Sequence, residues 1–419
     1  MRRSIRLCAV VLATCLIAVN AHADEVTFWN RVLFEAAKVA NTTPVPMSRF
    51  SAIVHAAMYD AYNGIERRYT PIFVQPAAPA GASARVAVVQ AAYVSLGKIY
   101  PTQQSTFDQK RTESLADISS GEASEHSQSI ARGIAWGQKV ADEIWTWRSG
   151  DGASAVLPPF TGNNNTGQWR STTSPPSSMA GLQFADMTPW VINSPSQFLP
   201  AAPPALTSTQ YATDFNEVKL MGNVSSPSRT ADQTLYSLFW NAGTASYLWN
   251  TVALSLADER HNTLSENARL FGLLNTSMAD AIIGCWNAKK LYNYWRPLTA
   301  IPLAATDGNT ATTEDLNWAA LFGTPNHSEY PSGHSCISGA AGELLSNYFG
   351  ENSSFVVTSD VMVGVSRFFP SFTAATDEVK NARIFSGIHF RTACDIGQTL
   401  GVNVARFVLT NAFLRRNGR

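Results

Sequence analysis

Charge is scarce in this sequence. Only 15% of its 419 residues are charged, and 31 basic residues balance 31 acidic ones to a formal net charge of zero. Such a chain has no overall field to draw nucleic acid or an anionic membrane, so any anion it binds must be held locally. Beyond the first 23 residues there is no run of about 18 apolar residues, which argues against a membrane-crossing helix in the mature chain. No repeat at a solenoid period occurs, so a stacked-repeat architecture is excluded. Cysteine is also sparse, with five in all. Cys8 and Cys15 fall in the first 23 residues, leaving Cys285, Cys336 and Cys394, an odd number that permits at most one internal disulfide. These three are either small buried packing residues or, in an oxidising compartment, contain one bridged pair.

Apolar residues, by contrast, are plentiful: 45% of the chain is hydrophobic and 11% aromatic, enough for a large core in one domain or two closely packed ones. Residues 1–23 read as a signal peptide, with Arg2, Arg3 and Arg6 at the basic end, Leu7 to Val19 apolar, and Ala21-His22-Ala23 suited to cleavage. The expected mature chain starts near Asp24 and is periplasmic or secreted.

Helical periodicity dominates from Val26 onward. An N-terminal helical part covers 24–148, with helices over Val26 to Lys38, Met47 to Asn63, Ala84 to Lys98, Gln103 to Ile118 and Ala123 to Arg148. His55, in an alanine-rich segment, reads as a hydrogen-bonded core residue rather than a site residue. Residues 149–208 are rich in Pro, Ser, Asn, Gly and Thr. The aromatics Phe160, Trp169, Phe184, Trp190 and Phe198 embedded there favour an ordered loop packed on the scaffold over a disordered linker. Helices resume in the part 209–419. The capping box Thr263-Leu264-Ser265-Glu266 opens a helix expected to run to Arg296 and stop at Pro297. A second helix follows Pro331-Ser332-Gly333-His334, Phe355 to Thr358 reads as a short strand, and a last helix runs from about His389 to Leu414. The expected fold is all-α, a helical bundle with a long ordered loop and minor β, and 24–419 form one unit.

Three motifs carry chemistry: Lys289 with Arg296-Pro297, then Pro331-Ser332-Gly333-His334, then Arg383 with His389. On one helix, residues seven apart share a face, which would set Lys289 and Arg296 side by side. Ser332 and Gly333 stand where a helix begins, and free backbone N–H groups there favour an anion. His334 is then placed to exchange a proton. Six residues separate Arg383 from His389, and Ser386-Gly387 offers a bend between them. Taken singly, each motif has an ordinary structural explanation; together they supply cations, imidazoles, a hydroxyl and a glycine N–H suited to an oxyanion.

The motifs resemble those of the superfamily joining vanadium-dependent haloperoxidases to type-2 phosphatidic acid phosphatases and bacterial acid phosphatases. The stretches Pro189 to Phe198 and Asp214 to Val218 are similar to its exported haloperoxidase-like branch. The resemblance implies that Lys289, Arg296, Ser332, Gly333 and Arg383 hold the equatorial oxygens of a bound oxyanion, with His334, His389 and Lys289 as catalytic residues. In a haloperoxidase His389 would hold vanadate, the substrates would be hydrogen peroxide and a halide, and Trp286 and His327 would border the halide, His327 favouring bromide over chloride. In a phosphatase the same pocket, without a cofactor, would hydrolyse a phosphomonoester through a phosphohistidine at His389. Three departures from the family pattern stand out. Ala382 replaces a frequent Ser, Asp395 lies six rather than four residues after His389, and Trp240-Asn241-Ala242-Gly243 lacks the Asp that pairs with the last Arg in chloroperoxidases.

Overall fold

The computed structural model describes residues 24–75, 77–120 and 125–416. The expected signal segment, residues 1–23, lies outside them. The helices, in chain order, are α1 (Glu25–Val39), α2 (Pro44–Glu66), α3 (Ala84–Ile99), α4 (Gln104–Ser120), α5 (Ser127–Ser149), α6 (Thr209–Met221), α7 (Ala231–Ala242), α8 (Ala245–Glu259), α9 (Leu264–Tyr292), α10 (Pro297–Ala300), α11 (Gly333–Phe349), α12 (Phe372–Phe385) and α13 (Arg391–Asn411). Strands β1 (Phe355–Thr358) and β2 (Ser366–Phe369) form an antiparallel hairpin. The fold is all-α with minor β, as the sequence indicates. β2 went unread because its alternation is short and leaves Phe368 exposed.

Helix α9 is the axis. From Leu270 to Trp286 every residue is buried, the pattern of a helix enclosed on all sides rather than amphipathic. The predicted capping box starts it: the Thr263 hydroxyl accepts from Glu266 N and the Glu266 side chain accepts from Thr263 N. Helices α2, α11 and α13 pack against it, and one hydrophobic cluster extends from Val26 to Phe413. Among the described residues no helix is long and apolar enough to cross a membrane.

The expected single helix through Arg296 does not form. Helix α9 ends at Tyr292, where Asn293 turns left-handed at φ 44°. Arg296 is extended (φ −87°, ψ 156°) and caps the short α10, as suits a residue preceding a proline, for which the helical region is crowded. Lys289 and Arg296 are therefore not neighbours on one helix face.

The 150–208 stretch is ordered and packed, as its aromatics indicate. Trp169, Phe184, Met187, Trp190 and Ile192 are buried. Asp280 of α9 clips it down, its carboxylate accepting from the backbone N–H groups of Trp190, Val191 and Ile192 at 2.7, 2.8 and 3.0 Å. Helices α11 and α13 approach closely enough that a Cβ on Gly401 would sit 2.1 Å from the Cys336 carbonyl oxygen. That close approach fixes the start of α11 beside the start of α13, where Ser332 N donates to Ala393 O at 2.9 Å.

Candidate active site

All three motifs converge behind and around one cavity of about 450 Å³. Trp286, His327, Gly333, His334, Arg383 and His389 line it. Lys289, Arg296 and Ser332 are fully buried in the layer behind.

Lys289, in the last turn of α9, and Arg296, beyond the break, reach the same extended segment from two directions. Lys289 Nζ donates to the carbonyls of Ser328 and Glu329 at 2.8 and 2.9 Å, and Arg296 Nε donates to His327 O at 2.9 Å. Arg296 Nη1 donates to Ile388 O at 2.6 Å and stands 3.0 Å from His389 Nε2. The helix break thus lets one arginine tie the second motif to the third. Ser332 caps α11, its Oγ accepting from Ser335 N and Ser335 Oγ. Gly333 and His334 open that helix, so their backbone N–H groups have no intrahelical acceptor. A Cβ on Gly333 would lie 3.1 Å from the Trp286 ring, leaving glycine as the residue that fits that wall without displacing it.

His389 lies in the connection between α12 and α13, just past Gly387 at φ 78°. This matches the bend expected after Arg383. Its Nδ1 is 2.9 Å from Glu329 Oε1, which also accepts from Phe390 N at 2.9 Å. A carboxylate acceptor fixes the proton on Nδ1, so Nε2 carries the lone pair, which here accepts from Arg296 Nη1. Sequence reasoning missed Glu329. Asp395, the acid it considered, pairs instead with Lys380 at the surface. The one sequence signal was an acid in Ser328-Glu329-Tyr330, immediately before the Pro331 motif.

The charges do not balance. Lys289, Arg296 and Arg383 are buried against one buried carboxylate, Glu329. Burial, with Arg296 nearby, lowers Lys289 to about 8 and Arg383 to about 9, and burial lowers Arg296 to about 10. Burial lifts Glu329 to about 7 against the pull of Arg296 and Lys289. Burial first and then the surrounding cations hold His389, His334 and His327 well below the usual imidazole range, so all three are neutral. Arg383 Nε and Nη1, His334 Nε2 and Glu329 Oε2 are buried without a partner among the described residues. Unpaired buried donors cost free energy unless a ligand completes them. An oxyanion fits this donor set. No group of three or more His, Cys, Asp or Glu suited to a metal cation occurs among the described residues.

His327 stacks obliquely on Trp286 with ring centroids 5.1 Å apart, and its Nδ1 faces Arg296 Nη2 at 2.9 Å. His55 is a core residue as expected: Nε2 is 2.7 Å from Asn30 Oδ1 and the ring stacks on Phe271. Cys285, Cys336 and Cys394 are free, buried thiols. The Trp240-Asn241 segment supplies no acid to Arg383; Asn241 Nδ2 donates instead to Ser386 Oγ at 2.5 Å.

Comparison with known proteins agrees with this geometry. Residues 269–418, which hold all three motifs, match the family described as VCPO second helical-bundle domain. The chain is 25% identical to the vanadium chloroperoxidase of Curvularia inaequalis over 416 residues, covering 78% of this chain. It spans 66% of the length of that curated relative, just short of two thirds. Among solved structures, one described as the first bacterial vanadium-dependent iodoperoxidase shares the fold with a TM-score of 0.82 and 24% identity, covering 94% of this chain and 98% of that one. An apo-type bacterial vanadium-dependent chloroperoxidase follows at a TM-score of 0.70 and 16% identity, covering 87% and 92%. Residues 269–418 thus match the second helical-bundle domain of the vanadium chloroperoxidase family, and the chain shares the helical fold of the vanadium haloperoxidases.

Proposed function

We propose that the chain is a vanadium-dependent haloperoxidase, oxidising a halide with hydrogen peroxide at a vanadate held by His389. The observation carrying this reading is the buried excess of positive charge around a histidine whose Nδ1 is pinned by Glu329. When bound, vanadate supplies an electrophilic centre that activates peroxide towards halide. Lys289, Arg296, Arg383, Ser332 and the Gly333 N–H would hold its oxygens, and the His389 Nε2 lone pair would hold the metal. His334 Nε2 has no partner among the described residues and burial favours its neutral form, so that nitrogen would accept a proton from peroxide and return it to a leaving oxygen. The Lys289 ammonium, held on the Ser328 and Glu329 carbonyls, would polarise the oxygen that the halide attacks.

Trp286 and His327 form the wall beside which the halide would sit. His327 is the basis for favouring bromide over chloride, and iodide, the most easily oxidised of the three, is included. A phosphatase would need the same donors, so paired assays decide. Purified protein is tested with and without orthovanadate for bromination of a phenol dye by peroxide and bromide, and for hydrolysis of p-nitrophenyl phosphate. The expected result is vanadate-dependent bromination that His389→Ala abolishes. Vanadate-inhibited hydrolysis without bromination would sink the reading.

A further inference from the structure

The cavity is larger than an oxyanion and a halide need. Its volume of about 450 Å³ lies within the ~300–1,000 Å³ typical of pockets for organic ligands. Its composition is also divided. His327, His334, Arg383 and His389 supply the polar part, whereas Val45 and Pro46 from the first turn of α2, Phe184, Ala245, Ile282 and Ile337 supply an apolar wall that the halide chemistry does not use. Thr43 and Gln183 add a hydroxyl and an amide to the lining, and the Thr43 side chain is not spent on capping α2. Phe184 is held at this wall by the ordered loop, a part of the chain with no role in holding the anion.

We infer that this apolar wall binds the organic acceptor, a small electron-rich aromatic of the phenol class, in the same chamber as the oxidised halogen. The inference rests on the haloperoxidase reading. Apolar side chains together with the Phe184 and Trp286 rings suit a planar ring, and Thr43 or Gln183 can hydrogen-bond its hydroxyl. The transfer balances. Halide and peroxide with one proton give hypohalous acid and water. The ring carbon then forms a bond to halogen as the halogen–oxygen bond breaks, and the ring proton leaves with the hydroxide as a second water. An acceptor held there intercepts hypohalous acid before it diffuses away.

The test compares products and binding. A small phenol and a bulky phenol too large for the chamber compete for bromination, once with the vanadate-loaded enzyme and once with added hypobromite. The enzyme is expected to favour the small phenol by about tenfold over the hypobromite ratio, the scale on which apolar pockets discriminate. Calorimetry on the vanadate-free protein is expected to show saturable phenol binding. Gln183→Trp, on the ordered loop rather than on an element that carries an anion donor, is expected to remove both the preference and the binding while bromide oxidation continues; Val45→Leu, a milder change, weakens both. Equal product ratios with no saturable binding would overturn the inference. If vanadate-dependent bromide oxidation itself is absent, the haloperoxidase reading fails, and calorimetry alone still decides whether the wall binds phenol.

Discussion

Two clusters of buried charge show what separates a clamp from a site. In the first, Arg49 and Arg148 share Asp151. Arg49 Nε donates to its carboxylate at 2.7 Å, and Arg148 Nε at 3.1 Å. Arg148 spends its remaining nitrogens on the carbonyls of Pro189 and Thr188 and stacks over Trp190, 4.1 Å from the ring centroid. Asp280, close by, is filled by three backbone donors. Two cations meet two carboxylates, and among the described residues none of these side-chain atoms is buried without a partner. In the second cluster, among the described residues, three cations meet one site carboxylate, Glu329, and Arg383 has no partner at Nε and Nη1. The first cluster is finished by the chain itself and fastens the 150–208 loop; the second needs a ligand.

Stability should therefore separate the two most strongly. Asp151→Asn strands two buried arginines and is expected to cost about 3–5 kcal/mol in denaturant unfolding, the usual penalty for breaking a buried pair. Arg383→Leu removes a cation whose Nε and Nη1 no described residue pairs, so unfolding free energy should hold steady or rise. Its loss should show in anion affinity instead, falling about 30-fold or more, since a desolvated charge contact contributes about 2 kcal/mol or more. Equal destabilisation by the two variants would erase the distinction.

Much of the second cluster could be read from sequence because each motif is local. A Pro-Ser-Gly-His at a helix start, and cations spaced along a few turns, declare their chemistry within a handful of residues. What could not be read is what the chain's path brings together. Glu329 meets His389 across 60 residues, and no periodicity announces such a pair. The helix break at Asn293 was missed because apolar spacing continued through Trp295, although Pro297 already disfavoured a helical Arg296. For the first cluster the sequence showed only a helix end and scattered acids. Its order depends on a loop whose packing, but not path, was legible from aromatics.

Glu329 is the point at which the second cluster can be probed from within. Glu329→Gln keeps an acceptor for His389 Nδ1 but removes the negative charge. Sulfate, held by charge alone, should bind more tightly. Vanadate, which also needs a basic His389 Nε2, should bind about tenfold more weakly, as when other outer-shell partners of a ligating histidine are changed. Tighter binding of both anions would show that Glu329 acts only as a charge.

Proton balance offers a gentler perturbation. Lys289, lowered to about 8 by burial and by Arg296, is a cation below that pH and neutral above it. Sulfate does not titrate in this range, so its affinity should fall first as Glu329, lifted to about 7, ionises, and then more steeply, towards tenfold per pH unit, above pH 8. The first cluster, with paired arginines, should show no matching step in stability. In Lys289→Met the affinity is lower throughout and the step at pH 8 vanishes. A step at pH 8 that persists in the variant would belong to another group, Glu329 at about 7 or Arg383 at about 9.

The smallest effect is expected at Asp395, the acid that sequence spacing set nearest to His389. Its carboxylate is 49% exposed and 3.2 Å from Lys380, and exposed pairs of this kind contribute about 0–1 kcal/mol. Asp395→Asn should leave vanadate affinity unchanged and shift unfolding by no more than that. A loss approaching that of Glu329→Gln would mean that α13 carries charge into the site from its outer face. The contrast between a chain-completed cluster and a ligand-completed one would then have to include a surface layer.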